Sequence, residues 1–310
     1  MTVIRVGTRG SALALAQTRA VAASLTAKTG AETEIITIST EGDRSSESLA
    51  SLGGTGVFAS ALRDALLAGE CDVVVHSLKD LPTAPVPGLT IAAIPKREDA
   101  RDALCARDGF TLDSLPDGAR VGTGSPRRVA QLRARRPDLE VVDIRGNVDT
   151  RLGKVASGEL DAVVLAVAGL TRLGRLDAVT DFLSIDWWPT APGQGALAIE
   201  VRSGEEKLAK ALDHATSRII VEAERRTLAL LEAGCSAPVA AHALIDDGML
   251  FLSARVYSAD PSSASGSEPH YLTSSHALYV SDTKDPAGDV AERVAKELFD
   301  LGAAGLIGAS

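Results

Sequence analysis

Arginine falls repeatedly where an apolar, strand-like run meets a short Gly/Ser/Thr/Asn loop that opens a helical pattern. Three segments share this form: IRVGTRGSALALAQ (Ile4 to Gln17), RVGTGSPRRVAQL (Arg120 to Leu132) and VVDIRGNVDTRL (Val141 to Leu152). Helix N-termini present unpaired N–H groups and a partial positive charge, and in an open α/β sheet they gather outside the carboxyl ends of the strands. Adding Arg9, Arg127, Arg128, Arg145 and Arg151 to such ends makes a site for a small molecule carrying several carboxylates or phosphates. A solvated or helix-facing arginine is the bland alternative for each of the five. Capping chemistry weighs against it. Ser125 and Pro126 read as N-cap and N1, which puts Arg127 and Arg128 in a first turn, where the helix dipole disfavours positive charge and a bound anion would repair the imbalance. Asn147 reads as another N-cap, with Arg145 just before it and Arg151 about one turn inside.

A second group able to do chemistry is DVVVHSLKDLPT, Asp72 to Thr83. Its apolar strand delivers His76, Ser77, Lys79 and Asp80 at the carboxyl end, where the working residues of such sheets collect. Beside Pro82, Lys79 and Asp80 read either as a solvated turn or as a pair in which the ammonium binds a carboxylate and the carboxylate meets a developing cation or a proton. Cys71, Cys105 and Cys235 form an odd, widely spaced set without CxxC or CxxH spacing, so neither a disulfide framework nor a zinc site follows. Cys71 and Cys105 sit in apolar runs and read as inert core thiols. Cys235, in EAGCSAPVAAHA, reads as an exposed loop thiol, either reactive or idle.

The frame that must hold these groups is legible from the alternation of strand and helix signals over the first two hundred residues, the pattern of a doubly wound α/β sheet. Strands are expected near Ile4 to Val6, Glu34 to Ile38, Val73 to His76, Thr90 to Ala93, Ala103 to Ala106, Val121, Val141 to Ile144, Ala162 to Ala166 and Ala196 to Val201. Helices are expected over Ser11 to Lys28, Phe58 to Leu67, Pro126 to Arg135 and Val148 to Ala156, with Gly30, Gly69 and Gly158 as stops. Beyond them, a helix from Glu222 to Glu232 that Gly234 ends, three strand-like runs and a helix from Ala287 to Leu301 read as a separate small α+β domain. Ser39 to Gly56 is polar and glycine-rich without either period, and reads as a mobile lid or as simple disorder; Asp260 to His270 reads as a long hairpin connection.

Composition narrows the ligand. With 310 residues, 45% of them hydrophobic and 3% aromatic, the chain can bury a sizeable aliphatic core in two or three domains. A net charge of -9 argues against general nucleic-acid or membrane-surface binding and makes the arginine-lined region a local exception. The start, MTVIRVGTRG, shows no secretory pattern, and the apolar run AVVLAVAGL is too short to span a bilayer, so a cytoplasmic location is expected.

Taken in order, TRGSALALAQ, GGTGVF, HSLKDLP, REDARDAL, VGTGSPRR, RRPDL, RGNVDTRL, DAVVLAVAGLTRLG, PGQGALAIE and EAGCSAP resemble the hydroxymethylbilane synthase, or porphobilinogen deaminase, family. The resemblance covers nearly all of the first 240 residues and is weak beyond them. It implies two α/β domains like the lobes of a type II periplasmic binding protein, plus a small C-terminal α+β domain. Residues 1–93 and 195–212 would form the first, with the lid and a catalytic Asp80; 94–194 the second, with the arginine-rich anion site; 213–310 the third, bearing Cys235. It further implies a dipyrromethane cofactor joined to Cys235 by a thioether, onto which four porphobilinogen molecules are condensed with loss of ammonia before hydrolysis frees the linear tetrapyrrole.

Matched motif by motif, the family pattern assigns carboxylate binding to Arg9, Ser11, Lys79, Thr123, Ser125, Arg127, Arg128, Arg145 and Arg151. It assigns positioning of substrate or chain to Gln17, Phe58 and Gln194. Each pyrrole ring bears an acetate and a propionate, so the growing polypyrrole is a polycarboxylate that arginine grips through charge-assisted hydrogen bonds. Loss of ammonia leaves a cationic azafulvenium that Asp80 would stabilise, with no metal required. Porphobilinogen and the polypyrrole are the implied partners, with no nucleic acid or membrane, in a monomer. Thr55, Gly124 and Ser236 depart from the family pattern, where lysine, serine and glutamine are common. A non-catalytic small-anion binding protein and a ligand-sensing effector module are the competing readings; the first lacks its usual secretion signal and the second a DNA-facing segment.

Overall fold

Short continuous apolar runs such as Val73 to Val75 and Ala162 to Leu165 become central strands, because a parallel strand covered on both faces has no use for polar alternation. The computed structural model describes residues 3–39, 57–233, 237–258 and 271–307, with the backbone alone at Val57 and Phe58. The elements begin with β1 (Ile4–Thr8), α1 (Ala12–Thr29), β2 (Thr33–Thr37), α2 (Val57–Leu67), β3 (Val73–Ser77) and β4 (Leu89–Ala93). They continue with β5 (Asp102–Ala106), β6 (Arg120–Gly122), α3 (Pro126–Arg135), β7 (Glu140–Val142), α4 (Val148–Ala156), β8 (Ala162–Ala166), α5 (Val167–Leu173), β9 (Asp181–Leu183) and β10 (Leu197–Arg202). Last come α6 (Ala215–Leu230), β11 (Val239–Asp246), β12 (Met249–Tyr257), β13 (Tyr271–Tyr279), α7 (Pro286–Asp300) and α8 (Ala303–Ile307).

Two units share these elements, Met1–Glu98 with Gly195–Arg218 and Asp99–Gln194 with Ile219–Ser310. The first holds a five-stranded sheet of order β2-β1-β3-β10-β4 and the second one of order β7-β6-β8-β5-β9. Both sheets follow one plan. Three strands run parallel, and the fourth, β10 or β5, lies antiparallel to both its neighbours. In each case that antiparallel strand is the first one the chain makes after crossing from one unit to the other. These are two α/β domains, as the motifs imply. The second unit also carries the small C-terminal sheet β11-β12-β13, antiparallel throughout.

Each sheet is sandwiched by its helices. Val21 and Leu25 of α1 pack on Val6, Val73, Val75 and Ile199, while Leu62 and Leu66 of α2 pack on Val74 from the opposite face. In the second unit Leu132 and Trp188 cover Leu104, Val121 and Val164, and Leu160 and Leu170 cover Ala103, Val163 and Leu165. Val290, Val294 and Leu298 of α7 fill a separate core against β11 and β12. Cys71 and Cys105 are buried, as expected; burial, aided by the charge of Asp72, pushes the Cys71 thiol up to about 11, and burial pushes Cys105 up to about 12.

The helices over Pro126–Arg135 and Val148–Ala156 form where the caps place them, and Gly30 closes α1 in the left-handed region at φ 71°. Four elements differ from expectation, one of them α8, a short helix after Leu301 that no sequence signal marked. The run AVVLAVAGL holds both β8 and the start of α5, because a uniformly apolar segment carries no period to mark the change. Three-residue β9 is an edge strand on β5. Helix α6 starts seven residues before Glu222, where the imidazole of His214 accepts the Ser217 N–H at 3.2 Å and so does the capping usually done by Ser, Thr, Asp or Asn. The lid beyond Ser39, Thr55, the stop at Gly234, Cys235, Ser236 and the connection from Asp260 to His270 lie outside the described residues. Among those described, no helix is long and apolar enough to cross a membrane.

Candidate functional site

In the first unit, the carboxyl ends of β1 and β3 meet the N-terminus of α1. Ser11 caps α1, its Oγ accepting the Ala14 N–H at 3.3 Å, which fixes the turn that carries Arg9. Ser77 closes β3 and a single 3₁₀ turn, Leu78–Asp80, follows; buried Leu78 pins that turn and leaves Lys79 half-buried and Asp80 exposed. Gln17 Nε2 donates to Ser77 Oγ at 3.1 Å and ties α1 to the strand end. Arg9, Gln17, His76, Ser77 and Asp80 thereby line one cleft, with Ala59 and Leu62 of α2. The side chain of Phe58 lies outside the described residues.

Beneath this cleft is a buried charge cluster that sequence reasoning missed. Glu200 of β10 receives Arg63 Nη2 at 2.9 Å and lies 3.1 Å from His76 Nε2, with both acidic and imidazole side chains almost wholly enclosed. Burial pushes Glu200 up, but hydrogen bonds and charge from His76 and Arg63 outweigh it and hold the carboxyl below its ordinary range.

In the second unit, fully buried Thr123 accepts the Ser125 N–H at 3.2 Å on its Oγ1, and Ser125 Oγ in turn caps α3. Pro126 stands at N1, so Arg127 and Arg128 do occupy the first turn. The anion that offsets them is the chain's own Asp102: Arg127 Nη2 reaches its Oδ2 at 2.7 Å and Arg128 Nη2 its Oδ1 at 2.5 Å. Burial raises the Asp102 carboxyl, yet the charges of Arg127 and Arg128 hold it far below the carboxylate range. Burial lowers Arg127 despite Asp102. Gln194 is also drawn inward, donating to Asp102 Oδ1 at 2.8 Å and the Ala100 carbonyl at 2.7 Å.

Asn147 caps α4 by accepting the Thr150 N–H at 2.9 Å, and Arg151 Nε donates to the Gly146 carbonyl at 2.9 Å. Burial, then the charges of Arg128 and Arg145, bring Arg151 down to about 10. Arg145 Nε is buried and has no hydrogen-bond partner among the described residues. Arg128, Arg145 and Arg151 are therefore neighbouring cations in mutual repulsion. Gly124, the departure in this loop, sits where a Cβ would come 2.7 Å from the Ile144 carbonyl oxygen, so the glycine permits a close backbone approach. Asp102 stood in the REDARDAL motif without a role, as a carboxylate opening a buried strand; that placement was the available signal.

Strand ends, capped helix starts and crowded arginines in two α/β domains define a protein that handles a small polyanion. Family models described as "Porphobilinogen deaminase, dipyromethane cofactor binding domain" and "Porphobilinogen deaminase, C-terminal domain" match residues 4–210 and 219–300. The porphobilinogen deaminase of Leifsonia xyli subsp. xyli is 61% identical over 315 residues, covering 98% of this chain and 94% of that protein. Porphobilinogen deaminase 1 of Streptomyces coelicolor is 52% identical, covering 98% and 97%. A periplasmic substrate-binding protein of an ABC transporter from Coxiella burnetii overlays 67% of this chain and 91% of its own at 13% identity and a TM-score of 0.44. The chain belongs to the porphobilinogen deaminase family.

Proposed function

We propose that this chain is a transferase of tetrapyrrole biosynthesis that condenses four porphobilinogen molecules with loss of ammonia and releases hydroxymethylbilane. The supporting observation is the crowding of Arg128, Arg145 and Arg151, with Arg151 lowered by burial and then by its like-charged neighbours, and Arg145 Nε buried without a hydrogen-bond partner among the described residues. Such a cluster suits a ligand whose every ring carries two carboxylates, each charge-assisted hydrogen bond contributing about 1.5–3 kcal/mol net.

The same donors fit a covalently held dipyrromethane, which carries four carboxylates. Its attachment point in this reading is the Cys235 thiolate, with Ser125, Arg127, Arg128, Arg145 and Arg151 holding its acids. When bound, the dipyrromethane supplies the primer pyrrole to which new rings are joined. Arg9 and Lys79 hold the incoming substrate's carboxylates, and Gln17, fixed on Ser77, orients it. The Asp80 carboxylate accepts pyrrole N–H hydrogen bonds and offsets the positive charge that follows departure of ammonia. The protein acts as a cytoplasmic monomer in this reading, in three domains, residues 1–93 with 195–212, 94–194 and 213–310.

Intact mass with peptide mapping tests the reading. Wild-type protein should convert porphobilinogen and carry a dipyrrole on Cys235. Cys235→Ser should fold without that adduct, because the hydroxyl is a poor nucleophile at neutral pH, while Cys71→Ser and Cys105→Ser should keep it. A dipyrrole on Cys71 or Cys105, or full activity of Cys235→Ser, would overturn the assignment.

A further inference from the structure

We infer that Asp102 is the positioning residue of the arginine site, acting through Arg127 and Arg128, and that Gln194 and Trp188 serve Asp102 rather than the ligand. This rests on the carboxylate-binding reading above. Asp102 is completely buried at the start of β5. Its Oδ1 accepts Arg128 Nη2 at 2.5 Å and Gln194 Nε2 at 2.8 Å; its Oδ2 accepts Arg127 Nη2 at 2.7 Å and Trp188 Nε1 at 2.9 Å. An ionised carboxylate has about four lone-pair sites. All are taken, so neither ligand nor water competes for this group.

What Asp102 leaves open is as informative as what it binds. Arg127 spends Nη1 on Gln131 Oε1 at 2.5 Å and on the Pro189 carbonyl at 3.0 Å, and Arg128 spends Nη1 on the Val164 carbonyl at 2.9 Å. The Nε of each is buried and has no hydrogen-bond partner among the described residues. Both guanidinium groups are thus gripped at their Nη ends while an Nε edge stays available, an arrangement that costs free energy unless an acceptor arrives. Two cations face one anion, so the cluster keeps an excess positive charge beside Arg145 and Arg151. Buried ion networks are weak devices for stability, since apolar replacements of similar volume are often as stable. Holding two arginines side by side in a helix's first turn, each with a buried Nε left unpaired, is a task that an apolar core cannot do.

The test compares porphobilinogen turnover, circular dichroism and dipyrrole content of the purified wild-type, Gln194→Met, Trp188→Phe and Asp102→Asn proteins. Gln194→Met and Trp188→Phe each remove one donor and keep the charges. We expect the dipyrrole content to fall about 5-fold or more, and turnover per total protein with it, while KM for porphobilinogen changes less than about 2-fold and the thermal midpoint stays near that of the wild type, because the arginines behind Asp102 hold the covalent primer and not the incoming ring. Asp102→Asn, where folded, should lose most of its dipyrrole. Lowered thermal stability with wild-type dipyrrole content in Gln194→Met and Trp188→Phe would show that Asp102 only supports the fold, and those two variants decide the matter should Asp102→Asn fail to fold. Absence of turnover in the wild-type protein would instead indict the proposed function.

Discussion

Asp80 stands exposed on a one-turn helix pinned by buried Leu78, so its carboxylate can be altered without disturbing the core. Asp80→Asn keeps the size and removes the charge that offsets the cationic pyrrole. Turnover should fall about 100-fold or more, in line with the loss of one preorganised electrostatic group, while intact mass still shows the dipyrrole. Near-normal steady-state turnover would exclude an essential charge role. Gly124→Ser would restore the residue common in the family, yet its Cβ would press on the Ile144 carbonyl. It should lower stability by about 1–3 kcal/mol, read as a fall in Tm; an unchanged Tm would mean the two loops yield freely. At this scale the sequence showed whatever is local. The caps at Ser125 and Asn147 and the first-turn arginines follow from neighbours within four residues. Asp102 and Glu200 did not, because their partners lie 25 and 26 residues away in one case and 124 and 137 in the other.

Helix α2 shows how an element is aimed. Leu62 and Leu66 bury against the sheet, but hydrophobic contact has no direction, and Arg63 adds one by reaching Glu200, which also meets His76 beside the Asp80 cleft. Glu200→Gln leaves Arg63 without its counter-ion and should cost about 3–5 kcal/mol, measured by urea unfolding at neutral pH. The pH dependence has a defined sign. A carboxyl held below its unfolded value adds stability that is complete above that value, near 4.3, and is lost as pH falls through the folded value. The difference between wild type and Glu200→Gln should therefore narrow on acidification below about pH 4; a gap that widens would contradict this account. Element types were readable where period and caps agreed, as in α3 and α4. They were not where His214 took a capping role or where one apolar run served both β8 and α5.

For the whole molecule, the strand plan has a consequence for biosynthesis. β10 lies between β3 and β4, yet it is more than a hundred residues later than either, and the five strands of the second sheet, from Asp102 to Leu183, all precede it. A nascent chain emerging from the ribosome can therefore complete the later sheet before the earlier one, whose centre is missing until Arg202 is out. Until then β3 and β4 each show an unpaired edge with apolar side chains. A truncation ending at Gly195 should accordingly be insoluble or bound to chaperones, whereas one ending at Ser203 should be markedly more soluble; equal solubility in a pelleting assay would refute the point. Premature termination and slow translation across residues 184–202 are thus the moments at which this chain is most exposed to aggregation, and the hazard is written into the order in which its strands are made.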